Sequence, residues 1–117
     1  PGETNEEFQE TYDFIKQVDF AELHVFPFSA REGTKAAALD NQVKPEIKAQ
    51  RVASLISLSN ELQTKYIEKF KGQELEVILE ERNKKTNMLG GFTSNYIKLE
   101  ADLPDKFIGK IYKIKVR

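Results

Sequence analysis

Apolar residues in the first twenty positions recur at helical spacing. Phe8, Tyr12 and Ile15 lie at i, i+4 and i+7 and form one stripe, with Phe14 and Val18 flanking it, so an amphipathic helix is predicted. Thr4 and Glu7 precede the stripe at the spacing of a capping box, in which each side chain satisfies the backbone N–H at the other position. Asp19 ends the pattern. The run FAELHVFPFS at 20–29 is rich in aromatic and branched residues and predicts a strand. Pro27 cannot donate to a ladder and belongs near the strand end or at an edge. Residues 30–43 hold a turn at Gly33 but no clear period, and are expected to form a loop.

Pro45 suits the first turn of a helix, where its missing N–H would be unpaired anyway. From there to Phe70, Ile47, Leu55, Leu58, Leu62 and Tyr66 fall roughly on one side, and Gly72 supplies the stop. Beyond Gly72 the period changes to two. Leu75, Val77 and Leu79 alternate with Glu74, Glu76, Ile78 and Glu80. A polar turn (NKKTN, 83–87) and Gly90–Gly91 follow, and in 96–100 Ile97 and Leu99 oppose Tyr96 and Lys98. After the turn at Leu103–Pro104–Asp105, Gly109 opens a last strand. There Tyr112, Ile114 and Val116 share one face, and Lys113, Lys115 and Arg117 the other. Short strands with Gly and Asn turns predict a small antiparallel barrel, whose closure would remove exposed edges. Its core would be marginal at this size and is expected to lean on the preceding helix. The boundary between the two patterns falls near residue 70.

A chain of 117 residues has room for one ordinary domain, or for a small one plus part of another. Its apolar runs are a few residues long, so no segment can span a bilayer as a helix. Cysteine is absent, which excludes a disulfide framework and thiolate ligation of zinc or an iron–sulfur cluster by this chain. A single histidine, His24, excludes a multi-histidine metal site. Pro1–Gly2 reads as the middle of a turn, and the chain is expected to be a piece of a longer polypeptide. The net charge of −1 hides an asymmetry. Residues 1–70 carry 8 Lys and Arg against 12 Asp and Glu, whereas 71–117 carry 10 against 7. The basic second part fits a weak contact with a polyanion, although solvated surface lysines give the same balance.

Two stretches carry a family resemblance. The first is Pro1–Gly2–Glu3–Thr4 followed by LHVFPFSAREGTKAA at 23–37, in which Phe28, Ser29, Arg31, Gly33, Thr34, Ala36 and Ala37 match a Tyr/Phe–Ser–x–Arg–x–Gly–Thr–x–Ala–Ala signature. The second is 71–117, with Gly72, Val77–Ile78–Leu79–Glu80, Gly91–Phe92–Thr93 and Asn95–Tyr96. In this order they resemble the radical-SAM tRNA methylthiotransferase family and the TRAM domain that closes many of its members. Leu23–His24–Val25–Phe26–Pro27 is most similar to the subgroup acting on N6-threonylcarbamoyladenosine in tRNA. The resemblance implies an α+β chain in two parts. Residues 1–70 would be the C-terminal part of a radical-SAM α/β barrel, and 71–117 a small antiparallel, OB-like β-barrel that binds tRNA. It implies a cytoplasmic parent enzyme that cleaves S-adenosylmethionine on [4Fe–4S] clusters and methylthiolates an adenosine beside the anticodon. This chain departs from the family in lacking the cluster cysteines, so no activity, catalytic residue or metal site is expected within it.

Within that frame Ser29 and Arg31 follow the end of the expected strand, where α/β folds gather ligand contacts, and would line the parent's cofactor or substrate pocket. The plainer reading is a turn serine beside a surface arginine. His24 is read as a packed or solvent-facing histidine, since no partner for a general base is visible. In the barrel part, Phe92 and Tyr96 could offer flat faces to unpaired bases or fill the core. The core is favoured for Phe92; both readings stand for Tyr96. Lys84, Lys85 and Lys98 lie near them, and Lys113, Lys115 and Arg117 form a one-sided basic row suited to phosphates. Glu80 is read as structural. Two other readings use the same residues differently. One is an autonomous RNA- or protein-binding module without an enzymatic parent. The other is a self-associating piece with open strand edges and apolar helix faces.

Overall fold

In the computed structural model, which describes residues 1–117, helix α1 runs from Asn5 to Val18. The capping box forms: Thr4 Oγ1 accepts the Glu7 N–H at 3.1 Å, and Glu7 Oε2 accepts the Thr4 N–H at 2.8 Å. Phe8, Tyr12 and Ile15 are half-buried along one stripe, while Phe14 and Val18 face solvent. Asp19 closes the helix in the left-handed region at φ 62°. Helix α2 (Lys35–Ala38) is a single turn inside the stretch expected to be a loop. Its own N-cap makes it, because Thr34 Oγ1 accepts the Ala37 N–H at 3.2 Å. Helix α3 spans Pro45–Glu68 and buries Leu58, Ser59 and Leu62. Near its start Arg51 ties α3 to the beginning of α1. Its guanidinium donates to the Glu3 carbonyl at 3.1 Å, the Glu3 carboxylate at 3.0 Å and Asn5 Oδ1 at 3.0 Å, and it lies 5.4 Å from the centre of the Phe8 ring.

The strand expected at 20–29 does not form. The segment is extended and alternates as a strand should, with Ala21, Leu23 and Val25 half-buried and Glu22, His24 and Phe26 exposed. What it lacks is a partner, because no second strand lies alongside to complete a ladder. Ser59 Oγ accepts the Leu23 N–H at 3.0 Å and donates to the Leu23 carbonyl at 3.5 Å, and Lys48 Nζ donates to the Phe28 carbonyl at 3.2 Å. The other backbone groups of 20–28 make no hydrogen bond within the protein.

Two compact units result, Pro1–Tyr66 and Ile67–Arg117. The second is a four-stranded antiparallel sheet of β1 (Glu74–Arg82), β2 (Leu89–Thr93), β3 (Lys98–Ala101) and β4 (Ile111–Lys115), in the order β3-β2-β1-β4. Gly72, at φ 85°, donates to the Val116 carbonyl at 2.8 Å and so begins the β1–β4 pairing. Leu75, Val77 and Leu79 point inward, with Val77 and Leu79 packing on Leu89, Leu103, Phe107 and Ile114. Opposite them on β4, Tyr112 and Ile114 share that face, with Val116 buried just beyond the strand.

A bulge interrupts β1 where Leu79 pairs with Gly91 and Glu81 with Gly90, leaving Glu80 as the surplus residue. Here the two backbones approach so closely that a Cβ on Gly91 would lie 1.8 Å from the Ile78 carbonyl oxygen. The sheet curls into half a barrel rather than closing as expected, and β3 and β4 remain its edges. Arg82 fastens one end. It donates to Asp105 Oδ1 at 2.6 and 2.8 Å, to the Leu103 carbonyl at 2.8 Å and to the Asn87 carbonyl, joining the β1–β2 turn to the 103–105 turn. No helix of the protein is long and apolar enough to cross a membrane.

Candidate nucleic-acid interface

The ladder registers fix which side chains share the outer face of the sheet. Ile78 stands opposite Phe92 on β2 and opposite Ile111 on β4, and Phe92 stands opposite Lys98 on β3. The four form one row across the sheet: Ile111, Ile78, Phe92, Lys98. Its apolar members are 64%, 50% and 48% exposed, which is unusual in mid-sheet and corrects the expectation that Phe92 belongs to the core. The reason is parity. Thr93 is buried, so its neighbour Phe92 must point away.

Tyr96 is also outside the core. It occupies a left-handed position at φ 66° in the β2–β3 turn, and its side chain is 79% exposed. Lys98 begins β3, while Lys84 and Lys85 project from the β1–β2 turn. That turn is held in shape by Glu100, whose carboxylate accepts Asn83 Nδ2 at 2.6 Å and Thr86 Oγ1 at 2.9 Å. Those two hydrogen bonds, Asn83 first, with the nearby Lys98 charge, hold the Glu100 carboxyl below the usual carboxylate range.

Lys113 and Lys115 lie on the outer face with Ile111, as the alternation predicts, and Arg117 continues the row. The register adds what the strand alone could not show. Lys113 stands opposite Glu76 and Lys115 opposite Glu74, so this row is partly neutralised by its neighbour strand. None of Lys84, Lys85, Lys98, Lys113, Lys115 or Arg117 is held in an ion pair. The structure thus gathers Lys84 and Lys98 around Phe92 and sets Lys113, Lys115 and Arg117 apart on β4 and just beyond. Sequence reasoning placed the lysines, weighed Phe92 as a base platform but favoured the core for it, and missed the apolar row. The signal was the hydrophobic Ile78, Phe92 and Ile111 at positions whose neighbours are inward.

In the first unit Ser29 and Arg31 are exposed. The Arg31 carbonyl accepts both the N–H of Thr34, at 3.2 Å, and its hydroxyl, at 2.7 Å, and Gly33 turns the chain at φ 81°. The Ser-x-Arg-x-Gly-Thr segment is therefore a self-contained turn that delivers Thr34 to cap α2. A pocket of about 290 Å³ lies nearby, walled by Phe8, Phe26, Phe28, Arg51 and Leu55. No group of His, Cys, Asp and Glu residues is placed to hold a metal ion, and with no cysteine the chain does not fit an iron–sulfur cluster.

No family model matches the chain. Among curated proteins it is 48% identical to the threonylcarbamoyladenosine tRNA methylthiotransferase MtaB of Bacillus subtilis, over 99% of the chain and 26% of that protein. It is 34% identical to the MtaB of Aquifex aeolicus, over 99% of the chain and 27% of the relative. A tRNA-2-methylthio-N(6)-dimethylallyladenosine synthase of Caldicellulosiruptor saccharolyticus is also 34% identical, over 99% of the chain and 25% of its own length. The chain thus spans about a quarter of the relatives it matches, and within that span it belongs to the tRNA methylthiotransferase family.

Proposed function

We propose that these 117 residues are the C-terminal portion of a cytoplasmic enzyme that methylthiolates N6-threonylcarbamoyladenosine beside the anticodon of tRNA. The observation carrying this reading is the 48% identity, over nearly the whole chain, to a methylthiotransferase named for that nucleoside, against 34% to a dimethylallyladenosine synthase. In this reading residues 71–117 form a TRAM-like module that contacts tRNA, and 1–70 form the last β/α portion of the catalytic barrel. The unpaired segment 20–28, whose burial alternates over 20–26, supports the latter, since it has the pattern of a barrel strand without neighbours. Its open backbone groups also favour self-association of the isolated chain. The clusters and S-adenosylmethionine belong to the rest of the enzyme. Ser29 and Arg31 follow the end of that strand-like segment and are the residues of this chain assigned to the cofactor side. Alone, the chain is inactive.

The test is tRNA binding by the chain across a salt series. Affinity should fall roughly tenfold or more from low to physiological salt if a few phosphates are contacted. Replacing Lys113 and Lys115 by Gln should flatten the salt slope. Glutamine is preferred to charge reversal because a new carboxylate would face Glu76 or Glu74. Binding that ignores both salt and substitution would overturn the phosphate contact.

A further inference from the structure

The outer face of the sheet carries a recess of about 280 Å³ beside Phe92. Gly90 and Gly91 line it without side chains, Phe92 walls it, and Lys84 and Lys98 stand on its rim. We infer that this recess is a single-base site, in which one unpaired nucleobase of an RNA strand stacks on Phe92 beside Gly90. This inference rests on the tRNA-contacting reading and deepens it.

Three observations carry it. A phenylalanine 48% exposed at mid-strand exposes ring surface in the way base-stacking platforms do. On the same face of β2 the sheet has no side chain at Gly90, two residues before Phe92, where a Cβ would press on Glu100 Cγ at 3.3 Å. The lining, finally, carries both signs of charge. Glu80 and Glu81 border the recess from β1 and Glu100 from β3, while Lys84 and Lys98 are lining cations in no ion pair and Arg82 is paired with Asp105. A strand whose phosphates follow Lys98 and Lys84 passes a Glu100 carboxylate already occupied by Asn83 and Thr86, stays clear of Glu80 and Glu81, and directs a base inward. There the carboxylates act only as acceptors and meet the donor N–H groups of a base edge.

The experiment uses the whole 117-residue chain with two RNA probes, a single-stranded oligoribonucleotide carrying one 2-aminopurine and the same sequence in a duplex. Anisotropy gives affinity, and 2-aminopurine quenching reports stacking. Phe92→Leu keeps an apolar residue on the strand but removes the ring. It should weaken single-strand binding about tenfold, abolish the quenching and leave the salt slope unchanged. Lys98→Gln should lower the slope by about one phosphate's worth and retain the quenching. Amide-proton spectra of both variants check that the ladder is intact. Should Phe92→Leu bind and quench as the parent does, or weaken duplex and single strand alike, the base site is overturned while tRNA contact survives. Absence of salt-dependent RNA binding in the unsubstituted chain would bring down both.

Discussion

At the scale of single residues, the second unit is organised by a few groups that each tie down more than one segment. Glu100 is the clearest. From β3 it holds the β1–β2 turn through Asn83 and Thr86, and those bonds lower its pKa. Because the folded value lies below the unfolded one, its stabilising contribution is present above the ordinary carboxylate pKa and is lost as pH falls through the depressed value. The Asn83 and Thr86 resonances are therefore expected to be pH-independent near neutrality and to shift together on acidification below that range. Glu100→Gln should remove this titration. A Glu100 carboxyl titrating at or above the ordinary glutamate value would contradict the geometry. The sequence shows a strand glutamate at 100 and a polar turn at 83–87, but nothing local says that they meet. Phe92 was misplaced because its face follows from the burial of its neighbour Thr93, a polar residue whose inward position composition does not suggest.

At the scale of elements, the signals that act within a few residues were legible and those that need a partner were not. The capping box at Thr4 and Glu7, proline at the start of α3 and the helix stop before Gly72 each act locally, and each appears. The strand expected at 20–29 shows the other case. Its composition and alternation are strand-like, yet a ladder requires a second chain segment that no local pattern supplies. Similarly, the third strand begins at Lys98 rather than Tyr96 because Tyr96 is used in the turn at positive φ. The extended segment hangs on one buried side chain, Ser59, whose hydroxyl serves both the N–H and the carbonyl of Leu23. Ser59→Ala leaves that amide without its acceptor, at a cost of about 1–3 kcal/mol if it stays buried. Hydrogen exchange at Leu23 should accelerate markedly in this variant while the amides of α1 keep their rates. Unchanged exchange at Leu23 would show that the segment is held by its apolar contacts instead.

At the scale of the whole molecule, the two units differ in how they hold together. The sheet unit has an inward face of Val77, Leu79 and Leu89 with hydrogen-bonded ladders around it, whereas α1 and α2 contain no buried residue. Amides of β1 should therefore exchange slowest in the chain and those of α1 much faster, giving non-coincident unfolding transitions when helix and ladder are monitored separately. A single coincident transition would argue for one cooperative unit. Charge distribution and the change of period near residue 70 were legible at this scale. The open edges of the sheet were not, because closure depends on how far the strands coil, which the alternation of side chains does not encode.

Glu80 gives the sheet one residue more than its pairing needs. If that residue were removed, Leu79 would meet Gly91, Glu81 would meet Gly90 and Arg82 would meet Leu89, the same partners as before, so no side chain would exchange inside for outside. Removing a residue ahead of the bulge, such as Ile78, would instead turn inward and outward positions about on one side of the deletion. The bulge therefore makes β1 tolerant of length change at one place only, where the loss would be one of curvature rather than of sorting.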